Sequence, residues 1–485
     1  KAITATVKPD AQGDWKWSFT NLPKYDAGGK KITYTVEEES INYYTTEVNG
    51  YNITNTRNTG DLKVTKVVNG YTTDKKFGFK VQMLKANGDI DTSFEGTFTG
   101  KKGSDVVNIT FTEGVSNVFE LGDNEVMLIK DLPTRHDYKV VETSKSGFIP
   151  TWNGQTGKIT KNTEAEVTCT NTPTEVKISK TDITGDMELA GAKMQIIETD
   201  AEGNETVVES WESGKNGEKV HVVKGLATGV EYTLRETVAP DGYKVKADSK
   251  FIIDTDGTVK VGGKAVADNH ILVKDDLTEV EVSKVDITNM QPIAGVSLKI
   301  TDTDGNTVEM WDKTKKEWVD AEWTSAATPQ KIFGLKTGTT YKLVEVAPPA
   351  GYKKAAATEF KLKKDGTIDT ASTTTPMNDG VLLVEDKPIV DVEVKKAWDD
   401  EDDKFGIRPQ SVTVKLLADG NYTGKTLVLK EDASDPAKSW TGKFEGLDMC
   451  KYDEGTKAWI PIDYTVDEVN VPDGYVRTVT VTEDI

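Results

Sequence analysis

The chain has 485 residues, a formal net charge of −20 and a hydrophobic content of 36%. Usual domains run to roughly 100 to 150 residues, so several separate cores are expected rather than one. The acidic balance excludes a nucleic-acid partner, because nothing here would release phosphate counterions, and no run approaches the roughly 18 apolar residues of a membrane span.

Short alternating runs of Val, Ile, Thr and Tyr, punctuated by Gly, Asn and Asp, predict β-strands throughout. Taken in chain order, they form a repeat. YTVEE ends at Glu38 and is followed by YNITN, ending at Asn55. Then come LKVTK to Lys66, YKVVE to Glu142 and VTCTN to Asn171. The same three kinds of segment return as VKISK to Lys180, YTLRE to Glu236 and ILVKD to Asp275, and again as VEVSK to Lys284, YKLVE to Glu345 and LLVED to Asp386. VEVKK to Lys396 and YTVDE to Glu468 complete the series. The lysines recur at about one domain length. The expected units are therefore 59–173, 174–277 and 278–388, flanked by a partial unit at 1–58 that lacks its lysine strand and another at 389–485 that lacks its closing strand. Lys1 opens no recognisable signal peptide, and the chain reads as a portion of something longer. Connections such as TPTE and DLTE are too short for flexible tethers, so an end-to-end rod is expected.

Residues two apart in a strand share a face. Val176, Ile178 and Lys180 therefore point one way, while Lys177 and Ser179 point the other. The same holds for Val280, Val282 and Lys284 against Glu281 and Ser283. Tyr232, Leu234 and Glu236 share an inward face, as do Ile271, Val273 and Asp275. Each complete unit thus aims a lysine, a glutamate and an Asn or Asp at an apolar interior, a costly arrangement unless they react or pair. Burial favours the neutral forms of amine and acid alike. A neutral lysine beside a protonated glutamate could attack the Cγ of the third residue, releasing ammonia from Asn or water from Asp. The plainer alternative is a buried ion pair with a hydrogen-bonded neighbour; recurrence of the third group in the same order favours the cross-link.

These segments resemble the B-type repeats of Gram-positive collagen adhesins and the related domains of sortase-assembled pilins. YTLRETVAPDGYKV around Glu236 matches the pilin pattern YxLxETxAPxGY, and YKLVEVAPPAGYK around Glu345 departs from it at Val346. KAWDDEDDKFGIRPQSVTVKL resembles the variant opening Lys-x-Trp-Asp-Asp, and residues 1–58 resemble its closing half. Residues 59–173 are more divergent and look like a pilin-type domain. The resemblance implies tandem immunoglobulin-like β-sandwich domains, all-β in class, and bonds of Lys66 with Asn171, Lys180 with Asp275 and Lys284 with Asp386. Glu142, Glu236 and Glu345 would be the catalytic acids, while Glu38, Asn55, Lys396 and Glu468 form incomplete sets.

Other signals are weighed and set aside. Asp399–Asp403 lacks the spaced ligands of a calcium loop and reads as a solvated turn. TDTDGN at 301–306 reads as a hairpin turn. His136, His221 and His270 share no spacing that would suggest a metal or triad, so neither metal nor cofactor is expected. Two cysteines are too few for a disulfide framework, and Cys169 is expected as a buried free thiol. Trp15, Trp17, Trp311, Trp318 and Trp323 read as aromatic packing in strands. The expected function is a structural stalk or pilus shaft at a bacterial cell wall or surface, with no turnover chemistry beyond single autocatalytic cross-links. The alternative is an adhesin region gripping host matrix. Partners would be other copies of the same surface protein or a host matrix protein.

Overall fold

A computed structural model describes residues 2–144, 146–185 and 187–480. Among them, every regular element is a β-strand apart from four short 3-10 turns. No helix among the described residues is long and apolar enough to cross a membrane. The architecture is all-β, with several sheet domains in tandem, as the alternating runs predict. It divides into two compact units, one made of residues 1–174 with 224–228 and 255–257, the other of the rest.

In the first unit, the pair Tyr44–Asn49 and Asn52–Arg57 is antiparallel. The preceding segment holding Tyr34–Glu38 lies outside the ladders. Trp15 is 65% exposed and, like Trp17, belongs to no strand, so packing in strands does not account for these two. An eleven-stranded sheet follows. Its strand Thr59–Val68 runs antiparallel to Val126–Pro133 and parallel to Glu164–Pro173. Burial alternates strictly along Thr59–Val68, sending Leu62, Val64 and Lys66 inward as the period-two reading requires. They meet Phe77, Phe79, Val140, Val167 and Cys169 in one core.

In the second unit, Glu175–Asp182 pairs in parallel with His270–Asp275. A separate sheet carries Lys193–Thr199, Glu231–Val238 and Ser249–Ile253. The pattern repeats as Glu279–Asp286 beside Val381–Lys395, with Ser297–Thr301, Thr340–Glu345 and Thr358–Lys361 in a second sheet. Val280, Val282 and Leu382 of one sheet pack with Leu298, Leu343 and Phe360 of the other, burying apolar area from both faces. Ser179 and Ser283, on the faces opposite the lysines, are buried too. Ser179 donates to the Lys219 carbonyl at 2.8 Å, which satisfies its hydroxyl.

Val381–Lys395 is one continuous strand of 15 residues that crosses position 388. Its second half pairs with Thr441–Asp448 and leads into a last core of Val394, Val412, Val414, Leu416 and Phe444. The acidic turn at 399–403 is held by Arg408, which pairs with Asp400, and by the Tyr475 hydroxyl, which donates to Asp400 at 2.9 Å. Segment 301–306 is a tight turn: Asp302 N donates to the Asn306 carbonyl at 2.9 Å, and Gly305 takes φ +93°.

Candidate functional site

Parallel pairing of a first strand with a last strand fixes the geometry three times over. Lys66 lies opposite Cys169, Lys180 opposite Val273 and Lys284 opposite Val384. In each case the Asn or Asp stands two residues farther along, on the same face, so a lysine leaning forward reaches it. The glutamates come from other strands: Asp137–Glu142, Glu231–Val238 and Thr340–Glu345. The structure thus brings together all three predicted sets.

The Lys180 set is buried, with Lys180 2% and Asp275 1% exposed. Lys180 Nζ lies 2.9 Å from Glu236 Oε1 and also contacts Asp275 Oδ1. These are charge contacts without hydrogen-bond geometry: Lys180 Nζ, Glu236 Oε1 and both Asp275 oxygens have no hydrogen-bond partner among the described residues. The other glutamate oxygen, Oε2, accepts the Lys246 backbone N–H at 2.6 Å. Burial pushes the Asp275 carboxyl up to about 7, outweighing the lowering effect of Lys180.

The Lys284 set repeats this. Lys284 Nζ is 2.5 Å from Asp386 Oδ1, 3.7 Å from Glu345 Oε1, and donates to the Val384 carbonyl at 3.3 Å. Neither Asp386 oxygen has a hydrogen-bond partner among the described residues. Glu345 Oε2 accepts the Ala355 N–H at 2.6 Å, and burial holds the Glu345 carboxyl above its usual range.

The backbone donors of Lys246 and Ala355 were not read from the sequence. Each stands ten residues after its glutamate, just past the Ala-Pro-Asp-Gly-Tyr or Pro-Pro-Ala-Gly-Tyr turn. Tyr243 N donates to the Pro240 carbonyl at 3.0 Å and Tyr352 N to the Pro349 carbonyl at 3.2 Å. Gly242 at φ +84° and Gly351 at φ +82° occupy the third turn position, where a side chain would be strained. The turn returns the chain to the glutamate, so the motif is legible as an anchor for the acid.

The Lys66 set is arranged differently. Lys66 is 0% and Asn171 0% exposed. Lys66 Nζ lies 3.1 Å from Glu142 Oε1 and over the Phe77 ring, 4.3 Å from its centroid. Asn171 Nδ2 donates to that same Oε1 at 2.8 Å, leaving Glu142 Oε2 buried without a hydrogen-bond partner among the described residues. Cys169, a buried free thiol, sits 3.6 Å from both Lys66 Nζ and Asn171 Oδ1.

The two incomplete sets are also drawn together. Asn55 Nδ2 donates to Glu38 Oε1 at 3.0 Å, with Thr46 bonded to both residues. Lys396 Nζ lies 3.3 Å from Glu468 Oε2 and 4.5 Å from the Trp398 ring centroid. Of the histidines, His136 is buried against Asp91 at 3.0 Å, while His221 stacks on Trp211.

Residues 1–56 and 392–485 match the Cna protein B-type domain. Residues 174–265 and 278–376 match a prealbumin-like fold domain, SpaA, and residues 60–173 a domain of unknown function. The collagen adhesin of Staphylococcus aureus is 26% identical over 476 residues, covering 96% of this chain and 35% of that protein. The pilus tip adhesin Cpa of Streptococcus pyogenes is 30% identical over 111 residues, covering 22% of this chain and 15% of its own. The chain therefore spans about a third or less of the length of these relatives. Among solved structures, the Bacillus anthracis TIE protein aligns at TM-score 0.32 and 21% identity over 69% of this chain and 51% of its own. The shaft pilin SpaA of Lactobacillus rhamnosus GG aligns at TM-score 0.20 and 18% identity over 44% of this chain and 97% of its own.

Proposed function

As a chain of Cna B-type and SpaA prealbumin-like domains over the residues matched, this protein is, we propose, a stalk or pilus shaft of a Gram-positive cell surface, stiffened by three internal amide cross-links. The observation that carries this reading is the pair of Asp275 and Asp386. Each is a buried carboxyl in contact with a buried lysine amine, without a hydrogen-bond donor of its own among the described residues. Left unreacted, such a pair loses solvation with little compensation. Reacted, it becomes a neutral amide.

The chemistry needs no outside group. A lysine nitrogen with its lone pair free attacks Cγ, and the glutamic acid protonates the leaving group, oxygen at the Asp sites and nitrogen at Asn171, and accepts the amine proton in return. Lys180 with Asp275 and Lys284 with Asp386 each release one water; Lys66 with Asn171 releases one ammonia. Glu236 and Glu345, anchored by the Lys246 and Ala355 N–H groups, serve as the acids, and Glu142 does so in the first unit.

Domains spanning 59–173, 174–277 and 278–388 would then each be closed by a bond between their first and last strands. Tension entering at Lys66 passes to Asn171, along 171–180 to the next bond, and along 275–284 to the third. The loops between bonded residues carry no load. Partners would be further copies of such a surface protein. The match along most of the chain to a collagen adhesin, with Trp15 exposed, favours as a second reading an adhesin region for host matrix. Binding to an array of matrix proteins would support it; a blank array would leave the stalk alone.

Pulling single molecules from both ends tests the stalk reading. Segments 67–170, 181–274 and 285–385 should stay unextended, and Glu236→Gln should release about 300 Å of new length from the second of them. Full extension of the unaltered chain would defeat the proposal.

A further inference from the structure

The Lys66 set differs from the other two at one register position. The residue directly opposite the lysine is a buried valine in the second unit, Val273 or Val384, but a thiol, Cys169, in the first. That thiol contacts both reacting groups, at 3.6 Å from Lys66 Nζ and 3.6 Å from Asn171 Oδ1. The carboxyl that would otherwise polarise the acceptor is turned elsewhere, since Glu142 Oε1 takes the Asn171 N–H at 2.8 Å. Its second oxygen is buried with no hydrogen-bond partner among the described residues.

We propose that Cys169 is a fourth catalytic member of this set, its S–H donating to the Asn171 carbonyl while Lys66 attacks. This rests on the cross-linking reading above and adds a division of labour to it. As the Lys66 Nζ–Cγ bond forms, the carbonyl π pair moves onto Oδ1, where the thiol hydrogen bond stabilises it. Glu142 then delivers a proton to Nδ2, the Cγ–Nδ2 bond breaks, and ammonia leaves. The proton lost from Lys66 restores Glu142, and the thiol ends as it began. Neither oxidant nor reductant is consumed.

Burial above all pushes the Cys169 thiol up to about 12, so it remains a donor rather than a thiolate. An amide is a poorer electrophile than a protonated carboxyl, because nitrogen delocalises into the carbonyl. An extra donor on the oxygen therefore speeds the reaction at the Asn site and is dispensable at the Asp sites.

The test follows linked peptides by mass spectrometry during cell-free synthesis of the full chain, comparing the unaltered sequence with Cys169→Val and Cys169→Ser. Valine keeps the packing and removes the donor, so the Lys66–Asn171 bond should form slower by on the order of tenfold, the value of one hydrogen bond in the transition state. The Lys180–Asp275 and Lys284–Asp386 bonds should form unchanged in the same molecules. Serine restores a donor while leaving a smaller side chain, so it should outpace valine; a residue needed only to fill space would give the reverse order. Equal rates for valine and cysteine, or serine slower than valine, would overturn the role of Cys169 while leaving the bonds intact. No linked peptide at any site in the unaltered chain would instead remove the cross-linking reading itself, and this proposal with it.

Discussion

The Lys66 site and the two sites of the second unit place a lysine and its Asn or Asp neighbour at the same register, yet they hold the acid in different ways. Glu236 and Glu345 each have one oxygen fixed by a backbone N–H and the other facing the reacting pair. Glu142 presents one oxygen to both Lys66 and Asn171 and leaves the other unpartnered. A carboxyl acceptor brings its own acidic proton and needs only an oriented acid. An amide acceptor brings none, and its set contains a thiol instead. In the proposed chemistry, one strand pairing would thus serve two leaving groups when its neighbours are adjusted at one or two positions.

The largest break in this comparison should come from Glu236→Gln, which keeps an oxygen for the Lys246 N–H but cannot transfer a proton as an acid. The Lys180–Asp275 bond should be lost while the other two form. Closing a loop of that length contributes about 4 to 5 kcal/mol in the chain-entropy account of a cross-link. A matching drop in calorimetric stability is expected for that domain alone.

Much of this was legible beforehand, and the reasons are local. Lys66, Lys180 and Lys284 stand in phase with the apolar residues of sequences that alternate apolar and polar, so period two points them inward, although burial itself alternates strictly along Thr59–Val68 and not along Glu175–Asp182 or Glu279–Asp286. The acceptors are legible for the same reason. What escaped reading depends on pairs of strands or on the backbone. The N–H groups of Lys246 and Ala355 leave no side-chain signature. Cys169 reads only as a buried thiol until the parallel register sets it opposite Lys66. Ser179 and Ser283 lie on the face that alternation would send to solvent, but other chain segments cover that face as well. Tyr34–Glu38 carries the same alternation as YTLRE, yet it has no ladder partner among the described residues.

A smaller effect sharpens the leaving-group distinction. Asp275→Asn should still close its bond, releasing ammonia in place of water and giving the same amide. Without a thiol at position 273, it should close more slowly than Asp. Adding Val273→Cys should recover part of that rate, as followed by linked-peptide yield over time. A double variant no faster than the single one would break the parallel between the sites.

The smallest effect is a slope with pH. A group whose folded pKa is raised supplies its full stability in acid and loses it as pH rises through that value. Asp275 is raised to about 7 from about 4 in the unfolded chain. Lys180→Met prevents the bond and removes the cation that favours the charged carboxyl. Its domain should lose stability from about pH 4 upward through and beyond neutrality. Lys66→Met leaves Asn171, which does not ionise, so its slope should be shallower. Chemical denaturation at several pH values reads both, and equal slopes would count against distinct acceptor chemistry.

Most direct of all is the intact mass of the purified, unaltered chain under denaturing conditions. Three closed bonds require a mass below that of the sequence by one ammonia and two waters, unchanged by reductant. A mass equal to that of the unmodified sequence would contradict the cross-linked account outright.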